Sequence, residues 1–404
     1  MALKRIGILT SGGDCGGLNA VIKGAALAAL ANGIEPVAIP GGYAGLYNLV
    51  EMDTLVKFTH ERLSRFCIGD AGSETGHSRV SVRKIKDPNP YARIMAGLKK
   101  HAIDALVISG GNDTGTVMLD LAKNGVKCIH APKTMDLDLV PYSVGGDSTV
   151  NRIREFIRDL QTTGRTHNRI MIVEVFGRDV GHTAFRGGIS AEADAILIPE
   201  LPVDFPALYA HLKRVYFGRM KASDIGRGTY TILVAEGVRN ATGEPLIDER
   251  AGKDALGNPK LAGAGKYVCQ QLEKFMKQDP DVAAQMKELG MFVPGICESP
   301  EIRTLVPEHL VRCGFTTVYD ANFGLEVGSA AVMLLLKDIA GVTVVSHSSG
   351  EISYMPTKEA IDQRKVSLDQ VALYEQLGFF FGRKAQPYSA KAKEVHGLVP
   401  RVYE

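Results

Sequence analysis

Asp136 and Asp138, in Pro132-Lys133-Thr134-Met135-Asp136-Leu137-Asp138, put two carboxylates into one short loop beside a hydroxyl and an amine. Such a pair can divide the labour of phosphoryl transfer: one carboxylate takes a hydroxyl proton while the other holds a divalent metal. An Asp pair in a loop also serves as a turn or a helix cap, so its chemistry has to be read together with its surroundings.

Gly12-Gly13-Asp14-Cys15-Gly16-Gly17-Leu18-Asn19 follows a strand-like run and opens a helix predicted over Ala20 to Ala31. Amides at a helix start with little side-chain obstruction suit a phosphate, although the glycines also permit a tight strand-to-helix turn. The spacing is neither a Walker A loop nor a dinucleotide fingerprint. Ser109-Gly110-Gly111-Asn112-Asp113-Thr114 repeats the logic, adding an amide, a carboxylate and a hydroxyl where a metal-bound phosphate could sit. A helix N-cap by Asp113 or Thr114 is compatible with that reading. Arg79, Arg169, Arg178, Arg303 and Arg312 stand beside glycine turns or at strand ends, where guanidinium groups can grip phosphate oxygens, and His309 lies three residues before Arg312.

The elements that must position these residues are short apolar runs alternating with helix-length segments. The runs are Ile6 to Leu9, Ala105 to Ile108, Ile170 to Val175, Ala195 to Ile198, Thr231 to Ala235 and Val342 to Ser346. Strands of this kind are buried on both faces by crossover helices. Several end directly in Gly or acidic residues, and in an open parallel sheet ligands bind outside the carboxyl ends of strands, so these junctions are expected to share one cleft. The segment Arg239 to Lys266, rich in Gly, Asn, Pro and charge, reads as an excursion or mobile hairpin within a domain. With 404 residues, 45% of them hydrophobic, the chain exceeds the usual span of one core.

Charge is nearly balanced, 47 Lys+Arg against 45 Asp+Glu, which offers nothing to nucleic acid or a membrane surface. Six scattered cysteines without C-x-x-C spacing read as reduced thiols. The N-terminus runs straight into strand-like residues, and no stretch reaches the length of a membrane span; a soluble cytoplasmic protein is expected.

Taken in order, seven blocks resemble the phosphofructokinase family over nearly the whole chain. They are Thr10-Ser11-Gly12-Gly13-Asp14 with Gly17-Leu18-Asn19, Gly42-Tyr43-Ala44-Gly45-Leu46, Gly76-His77-Ser78-Arg79, Gly110-Gly111-Asn112-Asp113, Lys133 to Asp138, Val175-Phe176-Gly177-Arg178, and Arg303 with His309 and Arg312. The resemblance implies two doubly wound α/β lobes with mostly parallel sheets and an active site between them. The donor lobe would span 1–147 with 313–365 returning to it, and the sugar-phosphate lobe 148–312 with 366–404 packed on it.

It also implies transfer of phosphate to the 1-hydroxyl of fructose 6-phosphate with Mg²⁺ as metal. Asp136 then matches the general base, Thr134 its neighbouring hydroxyl, and Arg178 and Arg79 the cations on the transferring group. Asp138, with Asn112 and Asp113, matches the metal side. Gly12, Gly13, Tyr43, Thr114 and Lys133 fall on the donor side. Glu236, His309 and Arg312 match the acceptor pocket, with Phe176 and Gly177 beside it. Arg169 and Arg303 match arginines that reach across from a neighbouring subunit, which implies a homodimer or homotetramer with a shared site.

Asp113 and Lys133 occupy positions that are glycine in ATP-using relatives, so the resemblance points to the pyrophosphate-using branch. An acidic side chain at Asp113 crowds the α-phosphate of ATP, while Lys133 can pair with the smaller pyrophosphate. Departures from the family pattern are Asn112 for aspartate, Leu137 for asparagine, Phe176 for methionine, Pro307-Glu308 for Leu-Gly and Cys313 for glycine. These leave open ATP as donor, another acceptor such as sedoheptulose 7-phosphate, and a regulatory subunit that kept the fold without the chemistry. A dinucleotide-binding oxidoreductase fits less well, because no acidic ribose partner stands at the right distance.

Overall fold

Runs of Val, Ile, Leu and Ala with almost no polar interruption leave no face for water, so they must lie inside a layered α/β stack. The computed structural model, which describes residues 3–240, 242–246, 261, 263–348 and 350–397, arranges them in that way. The strands among the described residues are β1 (Arg5–Thr10), β2 (Glu35–Ala38), β3 (Ala105–Gly110), β4 (Cys128–Pro132), β5 (Ile170–Val175), β6 (Ala195–Leu197), β7 (Tyr230–Ala235), β8 (Ile302–Leu305), β9 (Val342–Ser348) and β10 (Glu351–Pro356). One sheet has the order β10-β9-β4-β3-β1-β2, the other β6-β7-β5-β8. Neighbours are parallel except β10, which runs antiparallel to β9.

In the six-stranded sheet the winding reverses between β1 and β3. The helix after β1, Leu18–Ala31, packs on one face, where Val21, Ile22 and Ala25 join Val327 and Ala331 of helix Val318–Leu336 in one core. The helix after β3, Asn112–Lys123, packs on the other face through Val117 and Leu121. The loops after β1 and β3 therefore splay apart and open a crevice between them, as a switch point in an α/β sheet requires.

Helices Leu18–Ala31 and Val318–Leu336 approach so closely that a Cβ on Gly24 would lie 2.2 Å from the Leu325 carbonyl oxygen, and one on Gly328 2.1 Å from that of Val21. Residues far apart in sequence thus complete the first lobe. The second lobe has its own core around β5 and β7, which also takes in Val366, Val371 and Phe381 from beyond β10.

Buried Asp320 accepts hydrogen bonds from the Tyr142 hydroxyl (2.7 Å), the Gly145 amide (3.0 Å) and the Ser148 amide and hydroxyl (2.7 and 2.6 Å). It satisfies the start of helix Gly146–His167, whose first amides lack partners within the helix. That anchor fixes the point where the chain leaves the first sheet for the second.

The irregular excursion expected over Arg239 to Lys266 is shorter than the sequence suggests, because helix Ala264–Gln278 already covers its end. Arg239 and Pro245 form an antiparallel bridge around a turn held by the Asn240 side chain. Residues 241, 247–260 and 262 lie outside the described residues. Among the described residues no helix is long and apolar enough to cross a membrane.

Candidate active site

The segments that follow β1, β3, β4, β5, β7 and β8 at their carboxyl ends converge on one cleft of about 1130 Å³ between the two lobes. On the first-lobe side, Gly12 has φ +95°, a conformation that glycine adopts without strain, and its amide donates to the Ser78 carbonyl oxygen at 3.3 Å. Lys133, only 3% exposed, lies over this turn and its ammonium donates to the Gly13 carbonyl oxygen. Burial lowers its proton affinity below that of an ordinary lysine. A buried ammonium with one carbonyl partner gains most from an anion placed beside it.

Gly13 leaves room for a side chain from the other lobe. A Cβ there would sit 2.4 Å from Arg312 Nη1 and 3.6 Å from Arg79 Nη2. Arg312 comes from beyond β8 and its Nη1 donates to the Asp14 carbonyl oxygen at 3.3 Å, so its guanidinium spans the cleft to the loop after β1. Gly13→Ala is expected to displace the flexible end of Arg312 with little loss of melting temperature. The catalytic efficiency toward the acceptor should fall by about 100-fold, the worth of a charge-assisted contact. Unchanged acceptor kinetics would remove Arg312 from the site.

The loop after β4 carries the carboxylates. The Asp136 amide donates to Thr134 Oγ1 at 3.1 Å, and the Thr134 side chain lowers the proton affinity of the Asp138 carboxylate against the larger effect of burial. Thr134 is 6% exposed, so its hydroxyl organises the loop from below. Asp138, 5% exposed, is pushed up to about 6 by burial and then by the neighbouring charge of Asp136. Leu137 between them has φ +57°, which costs a non-glycine residue about 1–2 kcal/mol. Its side chain fills the space where Gly146 has none.

Across the cleft, the turn after β5 bears Phe176, Gly177, Arg178 and Asp179. Arg178 is also left-handed, with φ +52°. Glu236, which follows β7, holds this turn: its Oε1 accepts from the amides of Gly177 (3.1 Å) and Arg178 (2.8 Å). Gly237 lets the turn approach, since a Cβ there would lie 2.0 Å from the Arg178 carbonyl oxygen. Burial, with a smaller push from Asp136, raises Glu236 to about 7. The Phe176 ring lies 5.9 Å from that of His309, edge to face, and 5.1 Å below the Arg312 guanidinium. One aromatic ring thereby orients both the imidazole and the guanidinium of the wall.

Gly12, Gly13, Arg79, Asn112, Asp113, Thr114, Lys133, Thr134, Asp136, Asp138, Phe176, Arg178, Glu236, His309 and Arg312 all line this one cleft. Gly177 supports it from behind. Tyr43 does not reach it: the side chain is 1% exposed and its hydroxyl donates to the Thr114 carbonyl oxygen at 2.7 Å, bracing the loop after β3. Arg169 and Arg303 lie at the opposite, amino-terminal end of the second sheet, where both pair with Glu301.

The sequence reading missed Glu174, Lys266, Glu308 and Gln363, which also line the cleft. Glu174 Oε2 accepts from the Gly265 amide at 2.8 Å and pins the start of helix Ala264–Gln278. A lone acidic residue inside an apolar strand was the available signal.

No cluster of three or more His, Cys, Asp or Glu suited to a metal occurs among the described residues. Asp138 nevertheless fits a hard divalent cation: it offers oxygen, and the burial and the Asp136 charge that raise it are both offset by a positive ion. Such an ion would draw its remaining ligands from phosphate and water, with Asn112 and Asp113 available on the same cleft wall.

Two α/β lobes that bring a carboxylate pair and several cations to facing strand ends make a phosphoryl-transfer cleft. The family profile described as Phosphofructokinase matches residues 5–335. The chain is 30% identical over 385 residues to the pyrophosphate–fructose 6-phosphate 1-phosphotransferase of Dictyoglomus thermophilum, covering 95% of this chain and 100% of that one. It is 36% identical over 347 residues to an ATP-dependent 6-phosphofructokinase of Lactobacillus gasseri, covering 85% and 89%. A solved pyrophosphate-dependent phosphofructokinase from Marinobacter aquaeolei shares the fold, with a TM-score of 0.68 and 17% identity over 98% of this chain and 100% of that one. The chain belongs to the phosphofructokinase family, and is a phosphotransferase acting on a hydroxyl of a sugar phosphate.

Proposed function

We propose that the chain transfers a phosphoryl group from pyrophosphate to the 1-hydroxyl of fructose 6-phosphate, giving fructose 1,6-bisphosphate and phosphate, reversibly. The observation that carries the donor assignment is Lys133, a buried ammonium above Gly12 and Gly13, with the Asp113 carboxylate on the same wall. A compact, polyanionic donor satisfies the ammonium. The longer triphosphate of ATP would bring its α-phosphate against Asp113.

In this reading Asp136 accepts the proton of the sugar 1-hydroxyl as its oxygen forms a bond to the near phosphorus, and the bridging P–O bond breaks to release phosphate. Lys133, Arg79 and Arg178 neutralise the oxygens that gain charge, so positioning and electrostatics supply the rate with no covalent protein intermediate. Bound Mg²⁺ would add charge neutralisation on the donor oxygens, held through Asp138. Glu236 receives a sugar hydroxyl, and His309 and Arg312 the far phosphate. Arg169 and Arg303, turned away from their own chain's cleft, suit the acceptor site of a second copy in a homodimer or homotetramer.

ATP as donor is the second reading, favoured by the ATP-dependent names of several relatives at 30–36% identity. Coupled assays with pyrophosphate and with ATP separate the two, and clear turnover with ATP alone removes the donor claim. Asp113→Gly with Lys133→Gly is expected to lower the pyrophosphate efficiency by about 100-fold, the worth of a buried charge-assisted contact.

A further inference from the structure

Both cleft walls end in a left-handed, non-glycine residue, Leu137 beside the carboxylates and Arg178 on the facing turn. Such residues persist only where their surroundings hold them. One segment touches the supports of both. It runs from helix Thr357–Ala360 of the first lobe to Val366 in the second core, and no motif in it suggests chemistry.

Its contacts alternate between the walls. The Ala360 carbonyl oxygen accepts from the Val140 amide at 3.1 Å, and the Arg364 amide donates to the Asp138 carbonyl oxygen at 2.7 Å. The Arg364 guanidinium reaches back through Nη2 to the Leu137 carbonyl oxygen at 3.4 Å. The Arg364 carbonyl oxygen in turn takes His182 Nε2 at 2.8 Å. The Val366 amide donates to Glu200 Oε1 at 2.9 Å, and the same carboxylate accepts the Gly181 amide at 3.1 Å. Gly181 and His182 directly continue the turn that carries Arg178.

We propose that Arg364 is a positioning residue for phosphoryl transfer: by holding the Asp138 carbonyl through its amide and the Leu137 carbonyl through its guanidinium while tied through His182 to the Arg178 turn, it sets the separation of the base from the facing cation. It touches no substrate. Arg364 is an exposed residue, so truncating its side chain leaves the backbone bonds and both cores in place. The effect is then geometric, and sub-ångström errors at a reacting centre appear in turnover before they appear in binding.

This inference rests on the functional reading above only for the identity of the base and the cation. Its test is a ratio between variant and parent, taken with whichever donor and sugar phosphate the parent turns over best, so an error in substrate assignment shows in the parent alone. In the full chain, Arg364→Ala is expected to lower kcat by about 30-fold with both KM values within about twofold of the parent. Its melting temperature should stay within about 2 °C, as for an exposed substitution. Arg364→Lys, which keeps a donor within reach of the Leu137 carbonyl, should recover kcat to within about fivefold of the parent. An unchanged kcat in the alanine variant, a loss confined to KM, a loss matched by unfolding, or a lysine variant as slow as the alanine one would each overturn the proposal.

Discussion

Asp136→Asn is expected to lower kcat by about three orders of magnitude while leaving the KM for donor and acceptor nearly unchanged. The amide has the shape of the carboxylate but cannot accept the hydroxyl proton, and general-base catalysis contributes about 10²–10⁴ in rate. A second effect of the same change separates loss of the base from general damage. Asp138 stands at about 6 in part because Asp136 is charged beside it, so removing that charge lets Asp138 ionise at lower pH. Divalent metal binding to the parent should weaken as pH falls through about 6, and in the variant it should hold to more acidic pH. Calorimetric titration with Mg²⁺ or Mn²⁺ at several pH values measures this, and a variant as fast as its parent removes Asp136 from the chemistry.

Glu236→Gln should make the unliganded protein more stable at pH 8 and a poorer enzyme. The sign follows from proton affinity. The folded state holds the Glu236 proton up to about pH 7, whereas the ordinary carboxyl value is 4.5. Between those limits the folded state binds more protons than the unfolded one, so this group's contribution favours folding at low pH. The contribution is lost as pH rises, and above about 7 the full cost of a buried carboxylate remains. At about 1.4 kcal/mol per tenfold change in proton affinity, that cost is at most about 3.5 kcal/mol.

Glutamine keeps an oxygen for the Gly177 and Arg178 amides and carries no charge, so the turn stays in place. Thermal unfolding at pH 5 and pH 8 should show the variant gaining several degrees only at the higher pH, with weaker acceptor binding in parallel. Equal melting temperatures at pH 8 would mean that no ionised carboxylate is being held there at a cost.

The chemical centre was legible because its residues follow strands directly. Arg178 and Glu236 lie just past apolar runs and Asp136 just past the mixed run of β4, and parallel sheets gather such positions at one edge. Fold class was legible for the same reason, from runs such as Ile170 to Val175 that have no polar face. Short strands were harder: β2 contains Pro36, β4 contains His130, and β8 has most of its residues exposed, so none forms an apolar run.

Supports of the site left almost no trace in the sequence. Asp320 stabilises the start of a helix 172 residues before it in the chain, and Arg364 reaches a carbonyl 227 residues away. Such contacts are set by tertiary packing, and no local period or spacing records them. Tyr43 shows the converse error, since a residue in a block resembling the family's donor side proves to brace the loop behind it.

The fit of helix Leu18–Ala31 against Val318–Leu336 bears on how the chain emerges from a ribosome. The earlier helix leaves one apolar flank uncovered until nearly three hundred further residues have been made, while the intervening four-stranded lobe already has most of its own core. The order of synthesis and the order of consolidation therefore differ, with the middle of the polypeptide able to settle before its beginning. A growing chain halted anywhere short of Val318 would carry an exposed, glycine-notched helical surface that only its own later segment matches, which makes this seam the natural point for chaperone capture during translation.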